Sequence, residues 1–192
     1  IKLISKTTFG CTDTFTQKIS IGNVTAGFTV PDSVCTNVPL FFSNTSNPSP
    51  VTVIWNFGDG GTSEAINTSY TYKKAGNYDV SLAVDFGSCS GLFTKTIVVK
   101  DKPKPSFTST GNLNSCQLPL TIGFTSTSTG AATYKWLFGD GTSSTDRNPS
   151  HTYTSAGNFT VSLIAFNTNG CSDTVVYKDY VKAGPPIITG FP

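Results

Sequence analysis

Trp55-Asn56-Phe57-Gly58-Asp59-Gly60 and Trp136-Leu137-Phe138-Gly139-Asp140-Gly141 are two copies of one hexapeptide, 81 positions apart. Outward from them, the same shift carries Cys35 onto Cys116, Tyr72 onto Tyr153 and Gly76 onto Gly157. The stretch from Tyr72 to Leu82 (YKKAGNYDVSL) matches the stretch from Tyr153 to Leu163 (YTSAGNFTVSL). So many landmarks under one offset mark a duplicated unit rather than chance similarity.

The pattern inside each unit has period two. Tyr78, Val80, Leu82 and Val84 fall on one face of an extended segment, with Asp79, Ser81 and Ala83 on the other; Phe159, Val161, Leu163 and Ala165 repeat the arrangement. That alternation predicts a half-buried strand. Val38, Leu40 and Phe42, then Val53 and Trp55, then Ile97 and Val99 supply further short runs, separated by Gly, Pro, Asn and Ser clusters. Six or seven strands in about 80 residues, with no helical periodicity, predict an all-β fold: tandem immunoglobulin-like antiparallel β-sandwiches.

Composition agrees. Of 192 residues, 37% are hydrophobic and only 12% charged; frequent Thr, Val, Phe and Tyr favour strands over helices. A formal net charge of +2, with 13 scattered Lys and Arg, leaves no footprint for nucleic acid. No apolar run reaches the length that spans a bilayer. The lack of Met fits an internal piece of a longer chain.

Residues 1–22 read as the C-terminal strands of a preceding unit, since the segment around Cys11 resembles those following Cys89 and Cys171. The two full units are expected at 23–101 and 102–183. Residues 184–192 repeat the proline-rich opening of the second unit and are expected to be a linker and the start of another. Proline near residues 101–105 makes a short extended connector.

The five cysteines fall into two positional kinds. Cys35 and Cys116 precede the second strand of each unit; Cys89 and Cys171 follow the central strand, and Cys11 aligns with them. Matched spacings of 54 and 55 positions suggest disulfides Cys35–Cys89 and Cys116–Cys171, leaving Cys11 for a partner in the preceding unit. The alternative is five buried free thiols. Disulfides place the protein outside the cytosol.

At the Trp-x-Phe-Gly-Asp-Gly motif the chain resembles PKD domains, an immunoglobulin-like family. The likeness continues through Asn148-Pro149-Ser150-His151-Thr152-Tyr153, Gly157-Asn158-Phe159 and Val161-Ser162-Leu163. The first unit departs by carrying Tyr70 in place of His151 and by lacking the Asn-Pro step. The resemblance implies a sandwich that is seldom catalytic, set between other domains of secreted hydrolases or in long surface arrays. With a cysteine of each kind per repeat, the chain looks like the arrays in large surface adhesins of gliding bacteria exported by type IX secretion.

No residue set points to catalysis. Asp59 and Asp140 stand in Gly-Asp-Gly turns, where glycine supplies positive φ and the carboxylate accepts backbone N–H bonds. Some family members bind calcium, but no ligand cluster maps onto this sequence residue by residue, so no cofactor is expected and calcium stays a hypothesis. Trp55 and Trp136 are expected in the core rather than stacking on sugars. His151, the one histidine, is expected to be structural beside Tyr153. Phe86, Phe93, Tyr134, Tyr177 and Tyr180 read as surface aromatics that do not recur in both copies. These readings predict a non-catalytic extracellular spacer or stalk in adhesion, whose partners are neighbouring repeats, other copies in a filament, or surface glycans and proteins. A glycan- or protein-binding module and an accessory domain of a secreted hydrolase are the alternatives.

Overall fold

The computed structural model describes residues 2–17 and 23–184, and every regular element among them is a β-strand. The expected boundary at Gly22 and the expected opening of a further unit over 185–192 lie outside the described residues. A hairpin comes first, β1 (Lys2–Lys6) and β2 (Thr12–Thr16). The first repeat contains β3 (Phe28–Thr29), β4 (Ser33–Cys35), β5 (Leu40–Asn44), β6 (Thr52–Asn56), β7 (Thr62–Ser63), β8 (Thr68–Tyr70), β9 (Gly76–Asp85) and β10 (Ser90–Lys100). The second contains β11 (Phe107–Thr110), β12 (Asn114–Ser115), β13 (Leu120–Ser126), β14 (Thr133–Leu137), β15 (Ser143–Ser144), β16 (Ser150–Tyr153), β17 (Gly157–Phe166) and β18 (Ser172–Ala183).

The duplication in sequence is a duplication in topology. The first repeat has sheets ordered β4-β10-β9-β6-β7 and β3-β5-β8; the second has β12-β18-β17-β14-β15 and β11-β13-β16. Most pairings are antiparallel, but β4 runs parallel to β10, and β12 runs parallel to β18.

Alternation decides which face each strand buries. On β9, Val80, Leu82 and Val84 are sealed while Asp79, Ala83 and Asp85 face solvent. On β6, Val53 and Trp55 point inward, between exposed Thr52, Ile54 and Asn56. Val38 departs from the expected inward run: it lies before β5 and is exposed.

By proximity the described chain divides into two compact units. One comprises Ile1–Val30, Phe41–Thr68 and Asp79–Lys95; the other comprises Pro31–Leu40, Ser69–Tyr78 and Thr96–Pro192, excluding what lies outside the described residues. The first holds the Trp55 cluster, in which Phe28, Phe42 and Phe57 lie with ring centroids 5.1, 5.7 and 6.5 Å from the indole. The second holds the whole sandwich around Trp136, where Phe107, Phe124 and Phe138 stand at 5.0, 5.5 and 6.5 Å. One aromatic skeleton has been built twice.

The β1–β2 hairpin copies part of this plan. Its register pairs Lys2 with Thr16 through Lys6 with Thr12, as β17 and β18 pair Ser162 with Val176 through Phe166 with Ser172. Both connecting loops close the same way: the Thr7 N–H donates to the Cys11 carbonyl and the Asn167 N–H to the Cys171 carbonyl, each at 2.9 Å. Gly10 and Gly170 take φ of 85° and 83° at the same loop position. Leu3 and Phe15, on the hairpin, are exposed.

Candidate functional site

The repeated hexapeptide forms a core strand that ends in a tight turn. Each indole is fully buried and donates its Nε1–H to a carbonyl ten residues on, Trp55 to Ala65 at 2.8 Å and Trp136 to Asp146 at 2.9 Å. Burial of both rings leaves no face for sugar stacking. Gly58 and Gly139 have φ of 82° and 87°, a region L side chains rarely adopt. A Cβ on Gly139 would also stand 2.6 Å from the Thr160 carbonyl oxygen, and one on Gly58 2.9 Å from that of Asp79. The aspartates cap the turns: Asp59 Oδ1 accepts from the Gly61 N–H at 3.1 Å, and Asp140 Oδ1 from the Thr142 N–H at 3.0 Å.

The second copy adds a polar cluster. Thr142 Oγ1 donates to Asp140 Oδ1 at 2.6 Å, and His151 Nε2 lies 2.7 Å from Asp140 Oδ2. The imidazole lies flat on Phe138, with centroids 4.1 Å apart, and meets Tyr153 edge-on. Burial works to raise the Asp140 pKa, but bonds from Thr142 and the neighbouring His151 outweigh it and hold the carboxyl below its ordinary value. Burial, aided by the Asp140 charge, pushes the Tyr153 phenol well above the usual tyrosine range. That phenol donates to the Phe138 carbonyl at 3.0 Å. The hydroxyl of Thr142 is committed to the carboxylate, and Nε2 faces that same carboxylate. The cluster therefore braces the turn and is not arranged to activate a nucleophile. Sequence reasoning located Asp140 and His151 separately; their contact and the part of Thr142 come from the 11-residue return of β16 to the turn.

The aromatic reading needs correction. Tyr134 is buried in the second core, and Tyr177 and Tyr180 are half-buried against Phe107, at 4.6 and 5.5 Å. Phe93 packs on Phe28 at 5.1 Å, and Tyr177 on Phe107 at 4.6 Å, so this ring position does recur. A shift along the last strand hides the match from alignment.

The cysteine pairing also needs correction. The structure joins Cys35 to Cys171, with Cα atoms 5.9 Å apart across 136 residues of sequence. Both belong to the second compact unit, although they come from different repeats. Cys11, Cys89 and Cys116 are exposed free thiols. The pairings Cys35–Cys89 and Cys116–Cys171 fail on strand geometry. Cys35 is opposite Lys100 at the end of β10, whereas Cys89 immediately precedes its start. An 11-residue strand at roughly 3.3 Å per residue separates them by about 35 Å, against the roughly 4.4–6.8 Å a disulfide tolerates. Cys116 likewise follows Ser115, opposite Ala183 at the end of β18, and Cys171 precedes its start. Within a repeat, the two kinds of cysteine occupy opposite ends.

The loop carrying Cys171 is organised around Asn167. Its Oδ1 accepts from the N–H groups of Asn169 and Cys171 at 3.0 and 2.9 Å, and its Nδ2 donates to the Asp101 carbonyl at 2.8 Å. Lys100 Nζ reaches the Asn169 carbonyl at 3.4 Å. In the same unit an open cleft of about 510 Å³ is lined by Lys73, Lys74, Lys102 and Lys104 together with Asp101 and Asp173. Among the described residues no three His, Cys, Asp or Glu side chains are grouped to hold a metal ion, and no helix is long and apolar enough to cross a membrane.

Comparison with known proteins closes on the same repeat. Over 52 residues the chain is 42% identical to collagenase ColA of Bacillus cereus, a match covering 27% of this chain and 5% of the collagenase. The chain thus spans only a small fraction of that relative. The PKD1 domain of the Vibrio cholerae metalloprotease PrtV is 28% identical, with TM-score 0.37, over 44% of this chain and 99% of that one. The fibronectin(III)-like modules of Clostridium thermocellum CbhA are 19% identical, with TM-score 0.39, over 84% and 95%. The family model described as PKD domain matches residues 23–100 and again 100–183. With that match covering most of its length in two consecutive copies, the chain belongs to the PKD domain family.

Proposed function

We propose that this chain is a non-catalytic extracellular segment of a larger surface protein, a stiff spacer whose repeats are locked together covalently. The observation that carries this reading is the Cys35–Cys171 disulfide, which ties one repeat to the next. Tandem domains joined by a short linker ordinarily move relative to one another. A covalent tie outside the linker restricts that motion and gives a pulling force a second path. The disulfide also favours an oxidising compartment. The hairpin β1–β2, with the register and loop of β17–β18, supports reading residues 1–22 as the end of a preceding PKD unit, with full units at 23–101 and 102–183. Adhesion in the manner of gliding-bacterium adhesins is the setting we assign to such a stalk.

Single-molecule stretching tests the reading. In the oxidised chain, force applied at the ends crosses from Cys35 to Cys171 and leaves the intervening residues, across a sequence separation of 136, unstretched. Reduction should release about 470 Å of additional contour length, at roughly 3.3–3.6 Å per residue. Equal lengths in both states would remove the mechanical basis of the proposal. The similarity to a collagenase favours a second reading, an accessory module of a secreted hydrolase. A catalytic domain in the same reading frame would favour it, and specific binding on a glycan array would argue against a pure spacer.

A further inference from the structure

We propose that Cys116, Cys89 and Cys11 are halves of the same inter-repeat bond that joins Cys35 to Cys171, so that every repeat is disulfide-bonded to the next. This rests on the reading of the chain as one stretch of a longer array.

The bonded pair combines one cysteine of each kind. Cys35 is the early kind, set beside the end of the last strand: the Thr36 N–H donates to the Lys100 carbonyl at 2.9 Å. Cys116 has the same place in the second repeat, where the Gly184 N–H donates to the Ser115 carbonyl at 2.7 Å. Cys171 is the late kind, in the loop before the last strand. Cys11 stands in a loop of the same build: its N–H donates to Thr7 Oγ1 at 3.2 Å, as the Cys171 N–H does to Asn167 Oδ1 at 2.9 Å. Cys89 closes the equivalent loop of the first repeat, where the Phe86 N–H donates to its carbonyl at 2.8 Å.

Strand length forbids a bond between the two kinds within one repeat, as shown above. The observed bond also has a direction. Cys35 reaches forward to the late cysteine of the next repeat, whereas Cys116 and Cys89, which would make the backward pair, are both free and exposed. The same forward step takes Cys116 to the late cysteine of a following repeat, and brings to Cys89 the early cysteine of a preceding one. Cys11 receives the early cysteine of the repeat before that. Because Cys116 lies between Cys35 and Cys171 in sequence, successive loops overlap, and no stretch of the array is left outside a closed ring.

Each bond forms by thiol–disulfide exchange. The early and late thiols lose two protons and two electrons, and a disulfide oxidant, either a small-molecule disulfide or a disulfide-carrying oxidoreductase, is reduced to two thiols.

The test is the chain lengthened at its C-terminal end by one further in-frame copy of residues 109–184, so that residues 185–192 supply the proline-rich opening of the added unit, oxidised with glutathione disulfide and mapped by non-reducing peptide mass spectrometry. The expected result is Cys35–Cys171 together with Cys116 bonded to the late cysteine of the added copy. Three thiols should remain alkylatable: Cys11, Cys89 and the early cysteine of the added copy. The variant Cys116→Ser in the lengthened chain should free the added late cysteine while buried tryptophan fluorescence stays unchanged. Alkylation of Cys116 in the folded lengthened chain, or its bonding inside its own repeat, overturns the proposal. The parent reading frame provides a separate check: absence of neighbouring repeats there would defeat the array reading while leaving the bond itself decided by the map.

Discussion

Cys35 and Cys171 are bonded across 136 residues, whereas Cys35 and Cys89 stand at opposite ends of the 11-residue β10. The cystine is therefore a link between repeats, not a staple inside one. On the chain-entropy model a loop of that size is worth up to about 5 kcal/mol, less to the extent that the repeats fold separately. Replacing Cys35 and Cys171 together by Ser should lower the urea midpoint clearly. Replacing the exposed Cys11, Cys89 and Cys116 should change stability by no more than about 0.5 kcal/mol. Equal effects of the two sets would mean that the cystine contributes nothing to stability.

The tryptophans anchor the two sandwiches. Trp136→Ala deletes a fully buried indole packed among Phe107, Phe124 and Phe138, and should cost about 3–5 kcal/mol. Trp136→Phe keeps much of the packing but leaves the Asp146 carbonyl without its donor, a smaller loss of about 1–3 kcal/mol. Urea unfolding followed by circular dichroism separates the two, and a Phe variant as unstable as the Ala variant would contradict this division.

The two glycines of the second turn are not equivalent. Gly141, at φ 89°, has open space where a Cβ would go, while at Gly139 the Cβ would meet the Thr160 backbone. Gly141→Ala should therefore cost only the left-handed conformation, about 1–2 kcal/mol. Gly139→Ala adds a backbone clash, and its Tm should fall further below that of the parent. Similar Tm values for the two variants would show that this contact is not constraining.

Asp140 sets a pH dependence. Its folded-state pKa is depressed, so its stabilising contribution is present above the ordinary carboxylate pKa of 3.8 and is lost as pH falls through the lower folded value. The stability difference between the parent and Asp140→Asn should accordingly grow from pH 2 to pH 5, staying below about 1 kcal/mol for so solvent-screened a group. A difference that shrinks over this range would reverse the assigned sign.

Much of the fold was legible because the repeat fixes it twice. Alternation at Val80, Leu82 and Val84, and again at Val161 and Leu163, identified the central strands, and the two hexapeptides identified the core indoles. The disulfide partner was not legible in the same way. Alignment establishes that Cys35 and Cys116 are equivalent, but says nothing of which end of a sheet each occupies. That information lay in the inward pattern of Ile97 and Val99, which extends the last strand away from Cys89 and toward the residues beside Cys35. Tyr134 was open to the same alternation, two residues before Trp136 on the inward face of β14 as Val53 is before Trp55 on β6; the surface reading rested instead on its having no aromatic counterpart in the first repeat.

The most direct test is a non-reducing peptide map of the folded 192-residue chain after alkylation of its free thiols. The structure predicts one cross-linked species containing Cys35 and Cys171, with Cys11, Cys89 and Cys116 alkylated. Recovery of Cys35–Cys89 or Cys116–Cys171 peptides would contradict it, and with it the covalent coupling of repeats on which the spacer proposal stands.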